Sequence, residues 1–146
     1  VYTYDNFDRV RIVETPMGNT TYSYIGRTTT IITPEGRNVS TLNSAGQVIT
    51  SKVNNKSVEY TYYPSGLLET STPEGGPSIE LEYDLQGNRT KIIDPDPGVV
   101  RSQYNGFGDV EFTVQKVHIP SDSVRISYNY KSNGLVENVQ CIGKNN

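Results

Sequence analysis

Much of what usually stabilises or activates a protein is scarce in this 146-residue chain. There is one cysteine, Cys141, so no internal disulfide can hold the fold, and no basic or histidine neighbour in sequence would activate its thiol. With that lone thiol and a single histidine, His118, a zinc site built from this chain alone is not expected. Tryptophan is absent, and hydrophobic residues make up 34%, against a globular norm of about 45–50% by a count that includes glycine. The 13 Lys and Arg are scattered and the net charge is -3, which excludes the basic stripe of a nucleic-acid or anionic-membrane binder. No apolar run approaches the roughly 18 residues of a transmembrane helix, and the first residues lack the basic-then-apolar order of a targeting peptide.

Helical signals are missing as well. No apolar pattern at i, i+3, i+4 and i+7 runs for two turns, and Gly, Pro, Asn, Ser and Thr interrupt every window long enough for a helix. Helix should be nearly absent.

What the chain does have is a restated phrase, an aromatic residue followed by a polar linker and glycine. Tyr83-Asp84-Leu85-Gln86-Gly87, Tyr104-Asn105-Gly106-Phe107-Gly108, Tyr130-Lys131-Ser132-Asn133-Gly134 and Tyr62-Tyr63-Pro64-Ser65-Gly66 are clear copies. Tyr4-Asp5-Asn6-Phe7-Asp8 has Asp in place of Gly, Leu42-Asn43-Ser44-Ala45-Gly46 has Leu in place of Tyr, and Tyr24-Ile25-Gly26 is shortened. The copies recur about every twenty residues, at the lower edge of known repeat periods. Between them lies a second punctuation: Thr15-Pro16-Met17-Gly18, Thr33-Pro34-Glu35-Gly36, Thr72-Pro73-Glu74-Gly75 and Asp94-Pro95-Asp96-Pro97-Gly98, with Asn54-Asn55 where the Pro is missing. Proline presets φ for a β-turn and glycine supplies a positive φ after it.

The segments between turns alternate with period two. Ile79, Leu81 and Tyr83 share one face and Glu80 and Glu82 the other; Val58-Tyr60-Tyr62, Val124-Ile126-Tyr128-Tyr130 and Val110-Phe112-Val114 follow the same rule. The expected fold is all-β, a repetitive antiparallel β-hairpin meander of about fourteen short strands, with Val117 to Ser123 a loop inserted at a hairpin tip. A meander with one apolar face must cover it, by curling or with another part of a longer polypeptide, a partner or a cargo. Val1 to Tyr4 start on a strand already in phase, and the last copy ends without a distinctive polar cap, so the expectation is a single repeat region over 1–146 within a larger protein.

At these residues the chain resembles the RHS, or YD-repeat, family, whose signature is Tyr-Asp, two or three variable residues, Gly, a polar residue and an apolar one. Tyr83 to Arg89 match it closely, Ser44 to Val48 match its back half, and Thr33 to Arg37 look like its intervening turn. The departures are Asp8, the short Tyr24 copy, Leu42 and only two intact Tyr-Asp pairs, at Tyr4-Asp5 and Tyr83-Asp84.

The resemblance implies a twisted or curled sheet strip, part of an RHS-type β-spiral shell. Such shells enclose a toxic C-terminal domain in bacterial secreted toxins and form extracellular barrels in teneurin-like adhesion receptors. It implies a non-catalytic structural wall, with no enzyme activity and no cofactor. The partners implied are the remaining repeats of a longer parent chain or an enclosed C-terminal domain, at an extracellular or cell-surface location. The alternative is an adhesion module holding a glycan or protein on a Tyr-rich sheet face, with Tyr60, Tyr83 and Tyr128 as the candidate binding face.

The repeat-defining turn and packing residues are Tyr4, Asp5, Tyr24, Gly26, Gly46, Tyr62 and Gly66 in the first part of the chain. Tyr83, Asp84, Gly87, Tyr104, Gly108, Tyr130 and Gly134 continue the series. No catalytic or metal residues are assigned. Asp94 to Gly98 are the one dense acidic stretch, and a rigid turn is favoured over a calcium site, which needs six to eight oxygens. It is favoured also over a remnant of the Asp-Pro self-cleavage signature that the resemblance to RHS shells would imply, since repeats continue on both sides. His118 beside Ser121, Asp122 and Ser123 is read as a solvated loop, since triad members converge from separate segments. Sequons at Asn19, Asn38, Asn55 and Asn88 all lie in or beside turns, and chance accounts for them in a chain so rich in Asn, Ser and Thr.

Overall fold

The computed structural model describes residues 1–116 and 123–143. The loop expected at Val117 to Ser123, with His118, Ser121 and Asp122, lies outside the described residues except for Ser123, the first residue of a strand. Fourteen strands and no helix are found among the described residues, hydrogen-bonded in sequence order with antiparallel neighbours. They are β1 (Tyr2–Tyr4), β2 (Val10–Thr15), β3 (Gly18–Ile25), β4 (Thr28–Thr33), β5 (Gly36–Leu42), β6 (Val48–Val53) and β7 (Lys56–Tyr62). Then follow β8 (Leu68–Pro73), β9 (Ile79–Tyr83), β10 (Arg89–Asp94), β11 (Gly98–Tyr104), β12 (Val110–Lys116), β13 (Ser123–Tyr130) and β14 (Val136–Gly143). This is the all-β meander expected.

The chain forms two compact units, one of residues 1–61 with 71–76 and one of residues 62–70 with 77–146. In the second unit the register carries one face from strand to strand: Leu81 stands opposite Ile92, Ile92 opposite Val100, and Ser102 opposite Thr113. Thr113 in turn faces Ile126, so Leu81 and Tyr83 share a face with Tyr104, Ile126 and Tyr128. Leu81, 8% exposed, is the one buried apolar side chain among the described residues.

One detail departs from the expected alternation. Phe112 and Val114 stand opposite Gln103 and Arg101, on the face that carries Glu80 and Glu82, while Val110 stands opposite Tyr104. A register shift between Gln103 and Tyr104 moves the phase by one residue, and a one-residue slip exchanges faces. Similar shifts fall between Thr3 and Tyr4, Thr41 and Leu42, Arg89 and Lys91, and Asn129 and Tyr130, each beside a Tyr-to-Gly turn. Because the turn itself inserts the odd residue, both faces acquire apolar side chains, and neither is a dry core.

In the first unit Tyr22 stands opposite Ile31, Ile31 opposite Asn38 and Asn38 opposite Val53. Threonine fills much of the neighbouring register, with Thr28 and Thr41 sharing a hydroxyl–hydroxyl bond of 3.1 Å. Cross-strand threonine pairs of this kind stabilise a sheet by roughly 0.2–1 kcal/mol each. The first unit is therefore held by its ladder more than by apolar burial.

Candidate functional site

The Tyr-to-Gly turns are where the sequence does something repetitive and specific. In each long copy the second residue donates its N–H across the tip to the residue four positions on: Asp5 to Arg9, Asn43 to Gln47, Tyr63 to Leu67, Asp84 to Asn88, Asn105 to Asp109 and Lys131 to Leu135. The fifth residue donates back to the second, closing a β-turn; Gly87 to Asp84 O is 3.1 Å and Asp8 to Asp5 O is 3.2 Å. That fifth residue lies in the left-handed region, with φ of 90° at Gly87 and 58° at Asp8. A three-residue hairpin loop with a left-handed bulge residue has this pattern, and it explains why glycine recurs there. The short copy differs: Tyr24 stays within β3, and Ile25 pairs directly with Thr28 across Gly26 (φ 59°) and Arg27.

A side-chain clamp sits on top of the backbone turn. Asp84 Oδ1 accepts the N–H groups of Gln86 and Asn88 at 2.9 and 2.8 Å, while its Oδ2 accepts the Asn88 amide at 2.9 Å. Asn105, Asn43 and Asp5 do the same with their Oδ1 atoms toward Phe107 and Asp109, Ala45 and Gln47, and Phe7 and Arg9. The fourth residue onward completes the match. Asp5 is paired with Arg9 at 2.7 Å, and Asn105 and Asn43 offer amide donors to Asp109 and Gln47. Four tips therefore carry complementary partners at positions two and six of the phrase, a correlation the sequence displays but the reading by composition missed. At the two tips whose second residue is Tyr63 or Lys131, no Oδ1 is available; in the latter, Asn133 Oδ1 accepts from Leu135 N–H instead.

These donors hold the aspartates ionised. Asp84 lies below the ordinary carboxylate range mainly because the Asn88 amide bonds its charged form, and Asp5 because of its bond to Arg9. Arg9 is stacked as well, its guanidinium carbon 4.3 Å from the centre of the Tyr24 ring and 5.1 Å from that of Phe7.

Three of the tyrosines that open the phrase latch one hairpin to the previous one. Tyr24 Oη donates to Val10 O (3.0 Å), Tyr104 Oη to Arg89 O (2.9 Å) and Tyr130 Oη to Val110 O (2.8 Å). Each acceptor lies two residues beyond a left-handed tip residue, Asp8, Gly87 and Gly108 respectively. Tyr63, the second aromatic of its copy, reaches forward to Leu81 O at 2.9 Å and meets the Tyr83 ring edge-on, 6.1 Å between centres. Burial pushes the Tyr63 and Tyr130 hydroxyls up in pKa, so both remain donors at neutral pH. Tyr4 is 57% exposed at the end of β1, Tyr62 ends β7, and Gly46, Gly66, Gly108 and Gly134 close their turns in left-handed conformations.

The Pro-containing turns pack in their own series. Pro34 lies so close over Gly18 that a Cβ there would meet its Cγ at 2.5 Å, and the Asn54 side chain occupies the same place over Gly36. Asn54 bonds Arg37 at two points, and Glu74 bonds Ser57 at three. Asn54 is left-handed at φ 54°, the role expected of Asn54-Asn55. Asp94 to Gly98 form the turn between β10 and β11, with Asp96 N–H on Asp94 Oδ1 at 3.0 Å.

Of the candidate binding face, Tyr60 lies half-buried in the first unit, and Tyr83 and Tyr128 lie on one face of the second. β9 and β13 are four strand spacings apart, about 19 Å, so these two rings do not form one platform. Cys141 is exposed on β14. Among the described residues no His, Cys, Asp and Glu cluster could hold a metal, and no helix is long and apolar enough to cross a membrane.

Hairpins in unbroken sequence order make an antiparallel sheet that matches an RHS-type β-sheet strip in fold, and solved structures carry the same fold. The chain superposes on the crystal structure of TcdB2-TccC3 with a TM-score of 0.78 at 17% identity, covering 97% of this chain and 8% of that one. The same complex without its hypervariable C-terminal region gives a TM-score of 0.77 at 17% identity over 96% of this chain and 8% of that one. The Tc holotoxin pore of Photorhabdus luminescens gives 0.75 at 14% identity over 98% and 9%. The likeness is one of fold, and the chain spans about a tenth or less of those proteins. No family model matches the chain. No curated protein matches it.

Proposed function

We propose that this chain is a non-catalytic wall segment of a large secreted or cell-surface protein of the RHS type. Its strip contributes to a β-shell that encloses or presents a cargo or toxin domain. The observation that carries the reading is the combination of in-phase latched tips with faces that are only half covered: the tips fix the strip's edges, while the side chains between them await a second layer. The likeness in fold to TcdB2-TccC3, toxin chains more than ten times longer, supports it. On this reading the partners are neighbouring repeats of a longer parent chain or an enclosed C-terminal domain, and the location is extracellular. The region 1–146 is then one stretch of repeats within that parent. An adhesive Tyr-rich face is the weaker reading, because Tyr83 and Tyr128 are spread over several strands.

Electron microscopy of the intact parent protein tests the proposal. A hollow or spiral β-structure with this segment in its wall is expected. A segment standing free, with both faces in solvent, would overturn it.

A further inference from the structure

The tip edge of the second unit is grooved. Between the tips at Tyr63–Leu67 and Glu82–Gly87 runs a groove of 730 Å³, lined by Tyr63, Pro64, Tyr83 and Leu85. The next, of 510 Å³, lies between the Asp84–Asn88 and Tyr104–Gly108 tips, and a third, of 660 Å³, is walled by Phe107, Tyr128 and Tyr130. Adjacent grooves share tip residues, Asp84 and Gln86 in one case and Asn105 and Phe107 in the other, so they follow one another as a track along the tip edge. Two side chains stand proud of it: Leu85 is 103% exposed and Phe107 95%.

Two properties of the track select a ligand. The first is pitch. Grooves recur every two strands, about 9.5 Å apart. A polyproline helix advances about 9.3 Å per three residues and presents the same side at each turn, so a three-residue repeat stays in phase. An added β-strand would present opposite sides at that spacing, and an α-helix would need about six residues, which is not a whole number of turns.

The second is charge. The lining carries Glu82, Asp84, Asp109 and Glu111 against one cation, Lys131. Glu82 is paired with Lys91, but Asp84, Asp109 and Glu111 are bonded by the amides of Asn88, Asn105 and Gln103, neutral donors that bring no opposite charge. Carboxylates beside aromatic rings favour a guanidinium, which can bond the one and stack on the other.

We propose that this edge is a docking track for an extended arginine- and proline-bearing protein segment in polyproline conformation, its prolines in the aromatic grooves and its arginines on the carboxylates. Aromatic-lined grooves are the usual receptors for that conformation.

The test uses the full chain and a labelled Arg-Pro-Pro repeat peptide of about twelve residues, four turns of such a helix, read by fluorescence anisotropy. Saturable binding that weakens with salt is expected. Phe107→Ala and Leu85→Ala change side chains that face solvent, so circular dichroism should stay unchanged while affinity falls roughly fivefold or more for each. Glu111→Gln should lower affinity and flatten the salt dependence. Four results would each overturn the proposal: equal binding of a Glu-Pro-Pro repeat, equal binding of a flexible Arg-Gly-Ser repeat, unaltered affinity in Phe107→Ala, or binding of a cello-oligosaccharide in place of the peptide.

Discussion

Asp84 and Asn105 occupy the same place in successive tips, yet one is charged and the other is not. What they share is an Oδ1 atom that accepts two backbone N–H groups, and this is the part of the side chain the turn requires. Asp84→Ala should therefore destabilise the second unit, visible as a lower denaturation midpoint with an unchanged slope. Asp84→Asn keeps the acceptor and should cost little at neutral pH. The two differ from wild type in acid. Because the folded-state pKa of Asp84 is depressed, its contribution is present above the ordinary carboxyl value near pH 4 and is lost as pH falls through the lower folded value. Wild type should thus lose stability below about pH 4 more steeply than Asp84→Asn; parallel pH profiles for the two proteins would show that the clamp does not depend on charge. At the first tip the conflict is conformational. Asp8 holds a left-handed φ of 58° where the other long copies use glycine, and Asp8→Gly should raise stability by about 1 kcal/mol, measured by thermal melting.

At the scale of the hairpin, the spacing of turns made the strands legible, and the structure returns fourteen strands with tyrosine or leucine ending those before the long tips. The latch between hairpins was not legible. A tyrosine that recurs at one phase looks like a packing ladder, and nothing in the letters tells a ring that merely packs from one whose hydroxyl meets the carbonyl of Arg89 or Val110. Nor was the change of face at Val110 to Val114 visible, because alternation within one strand says nothing about a bulge opposite it. The complementary pairs Asp5–Arg9, Asp84–Asn88 and Asn105–Asp109 could have been found by comparing copies column by column, since charge and donor type covary there. Tyr104→Phe separates latch from ladder. It retains the ring and removes the bond to Arg89 O, so a loss of about 0.5–1.5 kcal/mol, with faster amide exchange confined to the neighbouring tips at Gly87 and Gly108, marks a latch. An unchanged exchange pattern would assign Tyr104 to packing alone.

The whole chain is long enough for an ordinary domain, yet Leu81 is its one buried apolar side chain among the described residues. A sheet in that condition is stabilised mainly by its ladder, its tips and cross-strand pairs, and its apolar residues contribute fully only when a second layer covers them. That difference separates two kinds of substitution. Tip changes such as Asp84→Ala should weaken the isolated chain and the parent protein alike, because the clamp is complete within one hairpin. Ile92→Ser and Val100→Ser, paired across β10 and β11 on the Leu81 face, should cost the isolated chain only about 1 kcal/mol each, toward the low end for core substitutions. In the intact parent, where the proposed shell covers that face, the same changes should cost about 3 kcal/mol or more, since they would bury a hydroxyl in an apolar layer as well as remove packing. Urea denaturation of the two variants in both contexts measures the contrast. Equal losses in the chain and in the parent would mean that no second layer covers this face, and the strip would then have to act through its edges.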